Sequence, residues 1–100
     1  MSYYVAFDGE LSDQVATNTG WADFGRWVDD LDDKVYPELV HLREHGWSQR
    51  LDSLGADLVD AVEHHAPDDA DTLSVVASLQ AQLHNRGGAE VATITDGMTP

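Results

Sequence analysis

Two histidines four residues apart carry the motif with the clearest catalytic meaning in the sequence. His41, Glu44 and His45 match H-x-x-E-H, the inverted form of a zinc-protease motif, and residues at i and i+4 share the helix face that a zinc pair needs. However, a zinc protease needs a third ligand, and the segment ends at Gly46, where a helix C-terminus attracts cationic side chains without any metal. We therefore expect terminal or surface histidines and assign no metal or catalytic residue. A metal-dependent hydrolase remains the rival function.

Two Asp-Gly dipeptides, one after each predicted strand, form the second candidate site. Asp8 and Asp96 would lie side by side if the terminal strands were parallel, and with Asp13 they could bind Mg²⁺ or Ca²⁺ through carboxylate oxygens. In an antiparallel pair the two carboxylates lie at opposite ends and no such site forms. Because Asp-Gly is also a common turn dipeptide, we expect two turns rather than a cation site.

Other catalytic signatures are missing from the 100 residues. The chain has no cysteine, which excludes disulfides, thiolate zinc sites, iron–sulfur clusters and cysteine nucleophiles. It also contains no glycine-rich phosphate-binding or dinucleotide-binding motif and no nucleophile elbow. The sequence therefore predicts a protein that is not an enzyme and that needs no cofactor.

The spacing of apolar residues predicts a strand near each end of the chain and helices between them. Alternation indicates a strand over residues 3–8, and residues 90–95 indicate a second one. Residues 9–19 show no period and contain many turn formers, so we expect a long working loop there. Four stripes at helical spacing consist of Trp21, Phe24, Val28, Leu31; Val35, Leu39, Leu42; Leu51, Leu54, Leu58, Val59, Val62; and Leu73, Val76, Leu79, Leu83.

Local signals indicate where the helices begin, end and touch. Pro37 is typical of a first helical turn, Gly46 of a left-handed C-terminal cap and Asp68 of an N-cap. Gly55 lies inside the third stripe, where glycine costs about 1 kcal/mol relative to alanine, and we interpret it as a point of close helix–helix approach. The three tryptophans are expected to pack in the core, with Trp27 the most exposed.

These elements predict one small acidic α+β domain over residues 1–100. Three to four short antiparallel helices would pack on a two-stranded ribbon formed by the N- and C-terminal strands. An even number of helices that alternate in direction returns the second strand antiparallel to the first. If the first two helices formed one bent unit, a parallel pair would result instead. We favour the antiparallel arrangement.

Acidity is the most unusual feature of the composition. Asp and Glu number 19 against five Lys and Arg, for a formal net charge of −14. Such a charge destabilises a compact chain by self-repulsion, and molar salt screens that repulsion. Acids dispersed along the chain therefore indicate a halophile-type surface, which is the interpretation we favour. Acids concentrated in one band would indicate a nucleic-acid mimic that inhibits a basic DNA-binding protein, and a dedicated basic partner is the third explanation.

The favoured function is a non-enzymatic interaction or regulatory domain with a protein partner. The negative charge disfavours direct binding to nucleic acid or to anionic membranes. No signal peptide or membrane span is evident in the sequence, so we expect a cytoplasmic protein. Self-association is left open. The expected partner-binding residues are Asp13, Asn18, Trp27, Asp29, Asp30 and Asp33.

Overall fold

Four helices and four strands make up residues 2–96, the part of the chain that the computed structural model describes, with side chains described for residues 2–95. Their bounds are β1 Ser2–Phe7, β2 Glu10–Thr17, α1 Asn18–Asp29, α2 Pro37–His45, β3 Trp47–Ser48, α3 Leu51–His64, α4 Ala70–His84 and β4 Ala92–Asp96. The strands form one antiparallel sheet in the order β2-β1-β4-β3. The predicted α+β class is therefore confirmed. None of the helices in this part of the chain is long and apolar enough to cross a membrane.

The two terminal strands pair with each other at the centre of the sheet. β1 and β4 run antiparallel, with Tyr3 opposite Asp96 and Phe7 opposite Ala92, so the favoured orientation is confirmed. The pair is not the separate two-stranded ribbon that we predict but the centre of a larger sheet, because β2 pairs with the other side of β1 and the two-residue β3 pairs with β4. The additional strands satisfy backbone groups that a ribbon would leave unpaired along both of its edges.

The segment predicted as a working loop, residues 9–19, is instead the edge strand β2 and the start of α1. Asp8 and Gly9 connect β1 to β2 with φ values of 53° and 84°. Two central residues with positive φ are characteristic of the type I′ hairpin turn, which favours Asp-Gly. Most residues of β2 are exposed. The two buried residues of β2, Val15 and Ala16, are adjacent in sequence, so the strand shows no alternation of apolar and polar residues that would indicate it.

This turn predicts a loss of stability that depends on backbone conformation alone. Gly9→Ala is expected to lower the free energy of unfolding by about 1 kcal/mol, because an L-residue is strained at positive φ. A Cβ at residue 9 would have no neighbour within 4 Å among the described residues, so a clash with them would not contribute. Gly55→Ala is the matched control: its surroundings are equally open, it lies within a helix, and a gain of up to about 1 kcal/mol is expected. Denaturant titration measures both, and equal effects would contradict the turn assignment.

The core is formed by one face of each helix together with the central strands. Helix α1 packs on α4, both contact β2, and α2 packs on α3. The fully buried residues include one from each helix and one from β1, namely Phe24, Leu39, Leu54, Leu79 and Val5. The four helical residues among them belong to the predicted stripes, which confirms that each stripe contains the buried face of its helix.

Three apolar residues that the stripes assign to the core are exposed instead. The exposed fractions are 55% for Val35, 57% for Val59 and 45% for Leu73. Val35 lies outside α2, and the other two follow directly after the buried residues Leu58 and Thr72. Adjacent residues in a helix are rotated by about 100°, so these two side chains project away from the buried face.

Two of the local predictions, the close helix contact at Gly55 and the N-cap at Asp68, are wrong. A Cβ at Gly55 would meet no described atom within 4 Å outside its own helix turn, so this glycine is not a point of close approach within the chain. Asp69 caps α4 in place of Asp68, because its carboxylate accepts hydrogen bonds from the backbone N–H and the hydroxyl of Thr72 at 2.9 and 2.8 Å. These two bonds lower the pKa of the Asp69 carboxyl, as expected for a group bonded in its charged form.

Candidate functional site

The H-x-x-E-H segment lies on α2, and its two imidazole rings contact each other. The ring centroids of His41 and His45 are 4.6 Å apart. Trp47 meets the His41 ring edge-on at 4.5 Å, and it is 39% exposed, which makes it the most exposed tryptophan rather than a core residue. His41 Nδ1 lies 2.9 Å from the Trp47 carbonyl oxygen and donates to it, because a carbonyl only accepts. Within residues 2–96, the ligand atoms of His41, Glu44 and His45 do not all lie within 4.8 Å of one another.

A different group brings three potential metal ligands together near the end of α3. Ligand atoms of Asp60, Glu63 and His64 lie within 4.8 Å of one another. Asp60 is already bonded, because it accepts from the Tyr36 hydroxyl at 2.9 Å and lies 3.2 Å from His64 Nε2. Burial raises the pKa of the Tyr36 hydroxyl, and its bond to Asp60 acts in the same direction. Tyr36 therefore remains a donor, and the arrangement is that of a surface hydrogen-bond network.

The carboxylates considered for a divalent cation do not meet. Asp8 accepts hydrogen bonds from the backbone N–H groups of Glu90 and Val91 at 3.1 and 2.9 Å, so it fastens the hairpin turn to the segment before β4. Asp13 accepts from Gln82 on α4 at 3.4 Å. The side chain of Asp96 lies outside the described residues, and its backbone is at the end of the β1–β4 pair opposite Asp8.

The residues expected to bind a partner fall into two groups. Asp13 lies within β2 and Asn18 is the first residue of α1, whereas Asp29, Asp30 and Asp33 lie at or beyond the C-terminal end of α1. At 1.5 Å per residue, Asn18 and Asp29 are about 16 Å apart along the helix. These residues therefore do not line one site.

Trp27, the remaining expected contact residue, is fixed by the fold. Its indole Nε1 donates to the His65 carbonyl oxygen at 2.7 Å, and its ring lies 6.0 Å from that of Phe24. The side chain is half-buried against the core. Its bond to the segment after α3 gives it a structural role.

Carboxylates cover every helix and the hairpin rather than one face. Of the 18 acids with described side chains, 14 are exposed, four are half-buried and none is buried. The described arginine ion pairs join Arg26 to Asp23, Arg43 to Asp29 and Arg86 to Asp52. These arginines neutralise only a few carboxylates, so a dispersed excess of negative charge faces the solvent.

A cleft with four carboxylates beside α1 is largely explained by local structure. Asp23, Asp30, Asp68 and Asp69 line a cleft beside Trp27. However, Asp23 is paired with Arg26 in the same cleft. Asp69 is the cap of α4. The cleft therefore does not present the uninterrupted row of charges that nucleic-acid mimicry requires.

An exposed apolar surface was not anticipated from the sequence. Two adjoining grooves on either side of α3 share Gly55, Ala56 and Val59. One groove extends to Val35 and the other to the C-terminal end of α4. We call the two together the α3 groove. The signal for this groove in the sequence is a glycine within a helix, four residues before a valine, which we predict to mark a contact inside the chain and which instead lines an exposed surface.

Asp57 positions one wall of the α3 groove by capping α2 from a neighbouring helix. Its Oδ2 accepts from the backbone N–H groups of Glu38 and Leu39 at 3.0 and 3.2 Å. The N-cap residue of α2, Tyr36, makes no side-chain capping bond. Burial raises the pKa of the Asp57 carboxyl; the two backbone bonds lower it, and nearby Glu38 and Asp60 raise it further. The Asp57 carboxylate thus connects α3 to the start of α2. Its partial burial disfavours the charged form of this group.

Comparison with protein-family models, curated proteins and solved structures finds no match to this chain.

Proposed function

We propose that the chain is an acidic interaction domain that binds a protein partner and carries out no reaction of its own, with a surface suited to concentrated salt. The placement of the carboxylates supports this proposal most strongly. All 18 acids with described side chains contact solvent, and they occur on each helix and on the hairpin. Dispersed acids of this kind keep a protein hydrated and soluble wherever its self-repulsion is screened.

The physical basis is the range of the charge–charge repulsion. At low ionic strength the Debye length is about 30 Å, which is comparable to the longest extent of the described chain, 36 Å. Every carboxylate then repels most of the others. In molar salt the Debye length falls to about 3 Å, and only contacts between neighbouring groups remain. We therefore expect the folded state to gain stability steeply with salt.

The nucleic-acid mimic receives less support. Its charges would have to lie in one dense band, whereas the acids are dispersed and the cleft of four carboxylates beside Trp27 also contains Arg26. No specific contact favours a metal-dependent hydrolase. The ring of His41 packs on the rings of His45 and Trp47.

Thermal melts in a KCl series test the proposal. The midpoint Tm is expected to rise from low to molar KCl. Replacing Asp30, Asp33 and Asp68 together with Asn should raise Tm at low salt by about 4–8 °C, because removing three exposed repulsive charges is worth about 1 kcal/mol. The same variant should reduce the slope of Tm against salt.

The matched control keeps the charge at those three positions. Asp30→Glu, Asp33→Glu and Asp68→Glu together should leave the salt dependence unchanged. A wild-type Tm that is flat between low and molar KCl would contradict the proposed surface adaptation.

A further inference from the structure

The α3 groove exposes apolar surface that nothing in the described chain covers. Val35 and Val59 are 55% and 57% exposed, and both line the groove. On α3, residues 52, 56, 59 and 63 are spaced three or four apart and therefore lie on one helix face. That face is about three turns long, from Asp52 to Glu63. Contiguous exposed apolar surface with a polar rim is typical of a protein-binding site.

Gly55 leaves the floor of the groove without a side chain and open to solvent. Within the described chain, a Cβ at this position would have no neighbour within 4 Å outside its own turn, and Ala56 beside it is also small. Glycine at a helix interior costs about 1 kcal/mol relative to alanine, and no close contact with residues 2–96 at this position offsets that cost. A second helix could approach the α3 backbone closely at this point, since small residues allow close backbone approach.

The charge around the groove defines the chemistry of the occupant. The carboxylates that line the two grooves are Asp52, Asp57, Asp60 and Glu63, and the basic side chains there are His84 and Arg86. Arg86 is paired with Asp52, and Asp57 and Asp60 also accept hydrogen bonds from within the chain. An apolar floor with a negative rim is complementary to a helix that is apolar on one face and cationic on its flanks.

We propose that the α3 groove binds an amphipathic helix of a partner protein, with small or aliphatic residues on its apolar face and Lys or Arg along its edges. This inference rests on the proposed function, because it names the partner class of an interaction domain. The partner's cations would contact the rim carboxylates directly, within the Debye length of molar salt, so that these contacts persist where long-range attraction is screened. A second copy of this chain is a poorer occupant, since its own carboxylates would meet the same negative rim.

The test uses a fluorescent synthetic peptide of about five helical turns, with Ala and Leu on one face and Lys on the other. Fluorescence anisotropy measures its binding to the full chain at KCl concentrations where circular dichroism shows the chain folded. We expect saturable binding to the wild type, and amide NMR shifts at residues 35, 55, 56 and 59. A matched peptide with Glu in place of Lys should not bind.

Gly55→Leu is the decisive variant, because a Cβ at this position meets no described atom within 4 Å outside its own turn and the longer side chain would occupy the groove. We expect it to remain folded and to bind the Lys peptide about tenfold more weakly. Ala77→Leu, the same kind of enlargement at an exposed position of α4, should bind like the wild type.

Three results would overturn the inference: no saturable binding of the Lys peptide, equal binding by Gly55→Leu and the wild type, or a wild-type dimer that Gly55→Leu abolishes. None of these concerns the salt dependence of Tm. The inference and the proposed surface adaptation can therefore fail separately.

Discussion

Replacing Phe24 with alanine is expected to lower the free energy of unfolding by about 3–5 kcal/mol. The Phe24 side chain is fully buried on α1, and its ring stacks on Trp21 at 5.2 Å and tilts against Trp27 at 6.0 Å. The row continues to β1, where Tyr3 stacks on Trp21 at 5.3 Å. Truncation would leave a cavity beside two large rings that cannot move in to fill it, since Trp27 is bonded to the backbone beyond α3.

Chemical denaturation in molar KCl, monitored by tryptophan fluorescence, measures this loss. A domain of this size has a total stability of about 5–15 kcal/mol, so the variant would lose a large share and its Tm would fall by more than about 12 °C. Leu11→Ala is the control, because Leu11 is 66% exposed and its truncation should change stability by less than about 0.5 kcal/mol. A loss below about 1 kcal/mol for Phe24→Ala would contradict the assigned core.

The helices were predictable because burial imposes a period on the sequence. Phe24, Leu54 and Leu79 each belong to a row of apolar residues at helical spacing on their own helix, and all three are fully buried. The end of α2 at Gly46 was predictable from residue type. The φ of Gly46 is 78°, a conformation that glycine adopts without strain. Where a stripe was widened to include Val59 or Leu73, the prediction was wrong, because hydrophobicity alone does not distinguish a buried residue from an exposed apolar one.

The sheet was less predictable because half of it carries almost no hydrophobic signal. β2 is an edge strand stabilised by backbone pairing with β1, and most of its side chains face solvent. β3 has only two residues. The Asp8-Gly9 turn is the available signal: an Asp-Gly dipeptide after an alternating strand favours a two-residue hairpin, whereas we predict a turn followed by a long loop.

The candidate site depends on contacts between helices that sequence spacing does not encode. Gly55 and Val59 belong to one predicted stripe and Val35 to another, and only the packing of the chain around α2 and α3 brings Val35 to their surface. The capping of α2 by Asp57 could not be predicted from the sequence either. Residue spacing predicts a capping residue just before its helix, whereas Asp57 lies 18 to 19 residues after the N–H groups that it caps.

Removal of the Asp57 side chain is expected to be the most destabilising single change at the site. Asp57→Ala would leave the N–H groups of Glu38 and Leu39 without their acceptor, at a cost of about 2 kcal/mol. The junction of α2 and α3 would loosen, and hydrogen exchange at the first turn of α2 should accelerate. Asp57→Asn keeps an oxygen that can accept both bonds, so it should retain the protection that the alanine variant loses.

The asparagine variant also separates the hydrogen bonds of Asp57 from its charge. Burial raises the pKa of this carboxyl in the folded chain, and a carboxyl of this kind favours the folded state when it is protonated. Its contribution is fully present below the unfolded-state pKa of about 4 and is lost as the pH rises through the higher folded-state pKa. At neutral pH the ionised group therefore carries an energetic cost that Asp57→Asn removes.

Asp57→Asn should accordingly match or exceed the wild type in Tm at neutral pH, and its advantage should vanish below about pH 4. Measuring the difference between the two proteins at each pH cancels the titration of the other carboxylates, which both share. The deficit of Asp57→Ala should persist at both pH values, because the protonated and the ionised acid each offer an acceptor oxygen. If Asp57→Asn were as unstable as Asp57→Ala at neutral pH, the negative charge itself, acting on the N-terminus of α2, would be the stabilising element, and the burial-based direction of the pKa would be wrong.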